Sequence, residues 1–145
     1  MPAQSITLAT HGIEAIQDSS TTFKITFNHG AADITVLPTS SSTKGWLHWI
    51  IPSPPPGYTI LKESLANFSV TDGVTVTGIQ TYQGATQLLH YITTTDSGKV
   101  QSKTAYPFAA TQYDGNGIVL SLQVEFTSLP ATLSVVSAGV VAYSE

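Results

Sequence analysis

The chain has 145 residues, no cysteine, 10% charged residues and a formal net charge of −4, where typical globular domains carry about 25% charge. Without cysteine, disulfides and thiolate metal sites are excluded. The basic residues are all lysines (Lys24, Lys44, Lys62, Lys99 and Lys103), and phosphate neutralisation or guanine reading leans on arginine or clustered base, so nucleic acid is not expected as a partner.

The length fits one domain spanning residues 1–145, within the usual range of about 100–200. Met1 to Thr10 lacks the basic start and long apolar run of a secretory signal, which makes a cytoplasmic chain the default expectation. No stretch approaches the roughly 20 apolar residues of a membrane span. A first strand is expected at Ile6–Leu8. Phe23-Lys24-Ile25-Thr26-Phe27 alternates apolar with polar, as a half-buried strand does. Asn28-His29-Gly30 is a turn cluster, and Ile34 to Leu37 is a β-branched run. A polar loop, Ser40 to Thr43, precedes the strongly apolar Trp46–Ile51. Pro52 to Gly57 is a proline-rich loop favouring polyproline II.

Leu61 to Asn67 is the one segment with a helical look. Strand alternation returns at Phe68–Thr71 and Val74–Thr77, on either side of Asp72-Gly73, a type I′ hairpin signal. Tyr82-Gln83-Gly84 leads to a further strand at Leu88–Ile92. Asp96-Ser97-Gly98 and Asp114-Gly115-Asn116-Gly117 are turn clusters. Leu120–Phe126 alternates again, and Leu133–Tyr143 is a valine-rich final strand. Many short strands with regular turns predict an all-β chain, a two-sheet antiparallel β-sandwich of jelly-roll-like form with almost no helix. An immunoglobulin-like sandwich and a closed barrel are the alternatives.

Chemistry-bearing residues are sparse. On a strand, Trp46, His48 and Ile50 share one face, and Leu47, Trp49 and Ile51 share the other. One face belongs to the core; the other must meet a second layer, a ligand or another subunit. His48 is therefore either packed under a loop and bonded to backbone, or part of an aromatic platform suited to a sugar ring. His11 and His29 each precede a glycine, and His90 lies in Leu88–Ile92. No histidine pair has metal-motif spacing. No Gly-x-Ser-x-Gly elbow is present. An acid–base pair could be assembled from His48 or His90 with Glu14, Glu63 or Glu125, although Glu125 alternates with core residues and should face solvent. Asp114 and Asn116 resemble a calcium loop only superficially, since its terminal glutamate is missing. Tyr58, Tyr82, Tyr106 and Tyr113 neighbour Pro or Gly turns.

Three short motifs in order carry a resemblance: Thr10-His11-Gly12, Trp46-Leu47-His48-Trp49-Ile50-Ile51-Pro52-Ser53-Pro54, and Gly78-Ile79-Gln80-Thr81-Tyr82-Gln83-Gly84. The chain resembles a family of functionally uncharacterised microbial β-sandwich proteins with a Thr-His-Gly start, a Trp-Phe-His-Phe-x-Ile-Pro-Thr-Pro block and a later Val-Tyr-Asp-Gly. It departs at Leu47, Ser53 and Gln83. The resemblance implies the sandwich and brings no activity.

These features point to a non-catalytic, lectin-like module that binds a small molecule or glycan through Trp46, His48, Trp49, Tyr82 and His90. No cofactor and no metal is expected. One alternative is a cofactor-free isomerase or cyclase with His48 as its catalytic group. Another is a structural protein that self-assembles as a homo-oligomer, since low charge and exposed strand edges favour association. One stability test follows from the turn chemistry. Gly73→Val should destabilise by about 1 kcal/mol or more, measured by denaturant unfolding, because a β-branched residue tolerates positive φ poorly.

Overall fold

The structure is a computed structural model that describes residues 4–17, 23–28, 30–36, 44–71, 73–95, 104–127 and 131–144. Among these residues the strands are β1 (Ser5–His11), β2 (Ile16–Gln17), β3 (Phe23–Asn28), β4 (Ala31–Val36), β5 (Lys44–Ile51), β6 (Tyr58–Val70), β7 (Val74–Gln83), β8 (Thr86–Thr95), β9 (Thr104–Gln112), β10 (Ile118–Phe126) and β11 (Leu133–Ser144). One 3-10 turn, Gly12–Glu14, separates β1 from β2. His29, Asp72, the Ser40–Thr43 loop, the Asp96-Ser97-Gly98 cluster, Lys99 and Lys103 lie outside the described residues.

The strands form an antiparallel two-sheet sandwich. One sheet runs β3-β4-β11-β6-β9, with β1 also paired to β11; the other runs β2-β5-β10-β7-β8. From β4 to β7, and again from β8 to β11, successive strands change sheets, which gives the jelly-roll-like crossing. Strand β11 serves two neighbours on one side. Leu133–Val135 pairs with β4, and Ser137–Tyr143 pairs with β1. The changeover falls at Val136, where the register with β6 also shifts.

Alternation explains the core. Leu47, Trp49 and Ile51 from β5, and Leu120, Leu122, Val124 and Phe126 from β10, face Leu61, Phe68 and Val70 from β6 and Leu133, Val135 and Val140 from β11. Each such side chain, fully buried, is worth about 1.5–3 kcal/mol against exposure. Polar links cross between the sheets, among them the following two. Ser64 Oγ and Thr81 Oγ1 lie 2.6 Å apart in the dry interior. At one edge the Gln17 side-chain amide donates to the Phe23 carbonyl and accepts from the Phe23 N–H, both at 2.8 Å, so that one side chain imitates a strand pairing between β2 and β3.

Two sequence expectations need correction. Leu61–Asn67 is not helical; it lies within the thirteen-residue strand β6. A bulge between Leu61 and Glu63 in the pairing with β9 shifts the inward phase by one residue, so that Leu61 and then Ser64, Ala66, Phe68 and Val70 face the interior. The Asp72-Gly73 connection is not a hairpin. Gly73 does have positive φ, at 97°, but β6 and β7 belong to different sheets, so the turn is an arch between layers. Strand β9, which contains Pro107, was not foreseen; as the last strand of its sheet it has an edge where a missing N–H is tolerated.

The 3-10 turn is held from both sides. His11 Nδ1 accepts from the Ile13 N–H at 3.0 Å, and its Nε2 lies 2.9 Å from the Gly30 carbonyl, so the tautomer protonated on Nε2 satisfies both. From within, the Trp49 indole N–H donates to the Gly12 carbonyl at 3.0 Å. A Cβ on Gly12 would collide with the Val135 carbonyl of β11. Gly12→Ala should therefore cost about 3 kcal/mol, since the obstacle is backbone that cannot rotate away. Trp49→Phe, which strands the Gly12 carbonyl, should cost roughly 1–3 kcal/mol. Thermal melts would read each as a fall of several degrees.

Candidate functional site

Because Leu47, Trp49 and Ile51 take the inward positions of β5, the outward ones go to Trp46, His48 and Ile50. Residues directly opposite on paired strands share a face, so the register extends this face across the sheet. The middle row is Ile16 on β2, His48 on β5, Ser121 on β10, Gln80 on β7 and His90 on β8. On one side lies a row of Trp46, Gln123 and Gly78. On the other lies Ile50, Val119, Tyr82 and Gln87. A polar row thus runs between two rows with aromatic and aliphatic members, about 7 Å apart along each strand.

The details suit contact with a ligand. The half-buried Trp46 indole reaches across β10, its Cη2 coming to 3.6 Å from where a Cβ on Gly78 would stand. The indole thus lies in van der Waals reach of the Gly78 backbone position on the neighbouring strand. Gln123 is oriented by Thr77, whose Oγ1 donates to Gln123 Oε1 at 3.1 Å. His48 Nδ1 and Ser121 Oγ are 2.7 Å apart. Gln87 Nε2 donates to the Tyr82 hydroxyl oxygen at 3.0 Å, leaving the Tyr82 O–H to donate outward. Ile50 is 61% exposed and Ile16 47% exposed. At one end Lys44 and Glu125 form an exposed ion pair at 3.9 Å.

Of the residues expected at a site, Trp46, His48, Tyr82 and His90 come to this one face, with His48 and His90 in the same row. Trp49 does not. It is fully buried with its indole N–H bonded to backbone, so it is a core residue that no ligand on the surface can touch. The proposed acid–base pairs are also not assembled. Glu63 lies on the other sheet beside Tyr143. Glu14 sits in the 3-10 turn. Glu125 is four residues along β10 from Ser121, roughly 13 Å at strand rise. Nor is His48 bonded to backbone under a loop; its partner is the Ser121 side chain. Among the described residues no three of His, Asp and Glu stand where they could hold a metal ion.

The other tyrosines serve the frame. Tyr58 and Tyr113 bond Gln4 and Ser53 through their hydroxyls, and Tyr106 packs on Tyr91 with ring centres 5.2 Å apart. Asp114 Oδ1 accepts from the Asn116 N–H, an ordinary Asx turn. Gln83, which departs from the resembled motif, is buried and uses both ends of its amide. Its Nε2 donates to the Gln112 carbonyl and its Oε1 accepts from the Asp114 N–H. A carboxylate could not donate the first of these bonds. Ser121, Gln80, Gln123 and Gly78 were missed as site members. Alternation marked Ser121 and Gln123 as outward, but only the strand order brings them beside His48 and Trp46.

No protein-family model and no curated protein matches this sequence. A CBM4 structure is similar at 17% identity and a TM-score of 0.47, over 96% of this chain and 94% of that chain. The carbohydrate binding module CBM6cm-2 from Cellvibrio mixtus lichenase 5A, in complex with cellotriose, is similar at 12% identity and a TM-score of 0.41, over 97% and 96% of the two chains. The Bacillus thuringiensis insecticidal crystal protein Cry7Ca1 is similar at 9% identity and a TM-score of 0.40, over 95% of this chain and 22% of that chain. These proteins are of unlike kinds, and likeness at such scores says nothing about a ligand here.

A second polar group lies on the six-stranded sheet. The Tyr143 hydroxyl donates to Glu63 Oε1 at 3.2 Å, and Lys62 Nζ stands 4.8 Å from the centre of the Tyr143 ring. Burial, then the nearby Glu63 charge and the hydrogen bond to it, raise the Tyr143 pKa above its ordinary 10.0. The raised value means that the folded state holds its phenol proton more tightly than the unfolded chain. That contribution is complete below pH 10 and is lost as pH rises through the folded-state titration. Tyr143→Phe should therefore lower the melting temperature modestly in the neutral range, where the bond to Glu63 is intact, and flatten the alkaline fall above pH 10.

Proposed function

We propose that this protein is a non-catalytic carbohydrate-binding module whose ligand lies on the outer face of the five-stranded sheet. The observation that carries this reading is the Trp46 plate laid toward Gly78 beside the row His48, Ser121, Gln80 and His90. A pyranose ring has an apolar face and a rim of hydroxyls. Trp46 and Tyr82 offer rings for the apolar face. The Gln80 and Gln123 amides and the His48 and His90 imidazoles can donate to or accept from the rim. The His48–Ser121 bond engages Nδ1, which leaves Nε2 for a ligand hydroxyl. A catalytic role for His48 has less support, because its side-chain hydrogen bond goes to Ser121 and not to a carboxylate.

Binding can be tested on a glycan array and by calorimetry. Trp46→Ala and His48→Ala should each weaken binding by about tenfold or more, equivalent to 1.4 kcal/mol. His48→Ala removes one hydrogen bond at a half-buried position, so its stability should fall by only about 1 kcal/mol. Absence of binding to any sugar would sink the reading.

Self-association is a second reading, favoured by β8. It is the last strand of its sheet and runs from Thr86 to Thr95 without a charged residue. The corresponding β9 and β3 edges carry Pro107 and Lys24, devices that discourage pairing between edges. Light scattering across a concentration series would give a dimer mass if β8 pairs with its copy; a monomer mass throughout would remove this reading.

A further inference from the structure

We infer that the ligand of the outer face is an uncharged polysaccharide gripped along its length, running across the strands from β5 to β8; this rests on the carbohydrate reading above. The direction comes from the register. His48, Ser121, Gln80 and His90 stand one per strand on four neighbouring strands. Three strand spacings cover roughly 14 Å, the length of a short run of linked sugars and more than a single ring needs. Polar groups therefore recur in a line across the sheet, while apolar groups flank that line on both sides.

The ends of the row argue for a chain interior over a chain terminus. His90 is exposed on the edge strand β8, and beyond His48 the row ends at Ile16, itself 47% exposed on the edge strand β2. An end-on site would need a wall where the sugar chain stops. Neither edge residue is enclosed, so a polymer can continue past the sheet in both directions.

Charge selects the class of polymer. Among the described strand residues of this sheet, the charged ones are Lys44 and Glu125, and these pair with each other at its margin. Lys62 sits over Tyr143 on the other sheet, and Lys24 belongs to β3 of that sheet. A uronate or sulfate ester laid along the row would meet the Gln80 amide and the His48 and His90 imidazoles over the buried Ser121, with no lysine to neutralise it. Desolvating an unpaired anion is costly, so neutral chains are preferred.

The test uses native gels containing one soluble polysaccharide each. The neutral set is hydroxyethylcellulose, mixed-linkage glucan, xylan and galactomannan; the acidic set is polygalacturonate and alginate. Neutral polymers should retard the protein, equally at low and high salt, and acidic ones should not. Calorimetry with oligosaccharides of the retarding polymer should then show affinity rising at least tenfold from the monosaccharide to the tetrasaccharide. His90→Ala should lower affinity for the tetrasaccharide more than for the disaccharide. Stronger retardation by acidic polymers, a monosaccharide that binds as tightly as the tetrasaccharide, or an equal His90→Ala loss at every length would overturn this inference while leaving carbohydrate binding intact. If no polymer and no free sugar binds, the underlying carbohydrate reading fails instead.

Discussion

The indole N–H of Trp49 ends on the carbonyl of Gly12, and that bond decides which side of β5 is which. A buried indole needs an acceptor. Gly12 supplies one because its turn lies directly against β11, in a space that a Cβ would fill. His11 fixes the same turn from the other side, through Ile13 and Gly30. One short relay thus joins β5 of one sheet to β1, β4 and β11 of the other. With Trp49 anchored inward, strand alternation sends Trp46, His48 and Ile50 outward. A one-residue slip would exchange the two sets, so the chemistry of the outer face depends on a contact made in the core.

This relay also gives physical sense to two of the three motifs behind the sequence resemblance. Thr10-His11-Gly12 is the turn, and the Trp46–Pro54 block contains the indole that meets it. Read separately, a histidine before a glycine carries no partner, and a second tryptophan suggests a ligand contact. The ligand contact was wrong for Trp49, because sequence alone does not show which of two apolar faces finds a carbonyl inside.

Periodicity made the strands and the sandwich legible, since β10 and β5 alternate or run apolar as buried strands must. It could not reveal the partners. Asp72-Gly73 has the composition of a hairpin turn and Gly73 the expected positive φ, yet the strands it joins lie in opposite layers. Turn residues encode a local reversal; whether the chain returns to the same sheet is decided by core packing many residues away. The same limit hid the candidate face. Ser121 sits 73 residues from His48 and reaches it only because β10 lies between β5 and β7. Bulges added a further obstacle. The one in β6 shifts the inward phase, so that a single alternation does not run through Leu61–Asn67.

The chain's two tryptophans stand three residues apart on one strand, in opposite surroundings. Trp49 is dry and bonded to backbone, while Trp46 is half in water. Their fluorescence should therefore divide into a blue component that an aqueous quencher cannot reach and a redder one that it can. Anything settling on the outer face would alter the second alone; loss of the fold would merge the two. The molecule thus carries two optical reporters, one for what touches its surface and one for whether its sheets still meet.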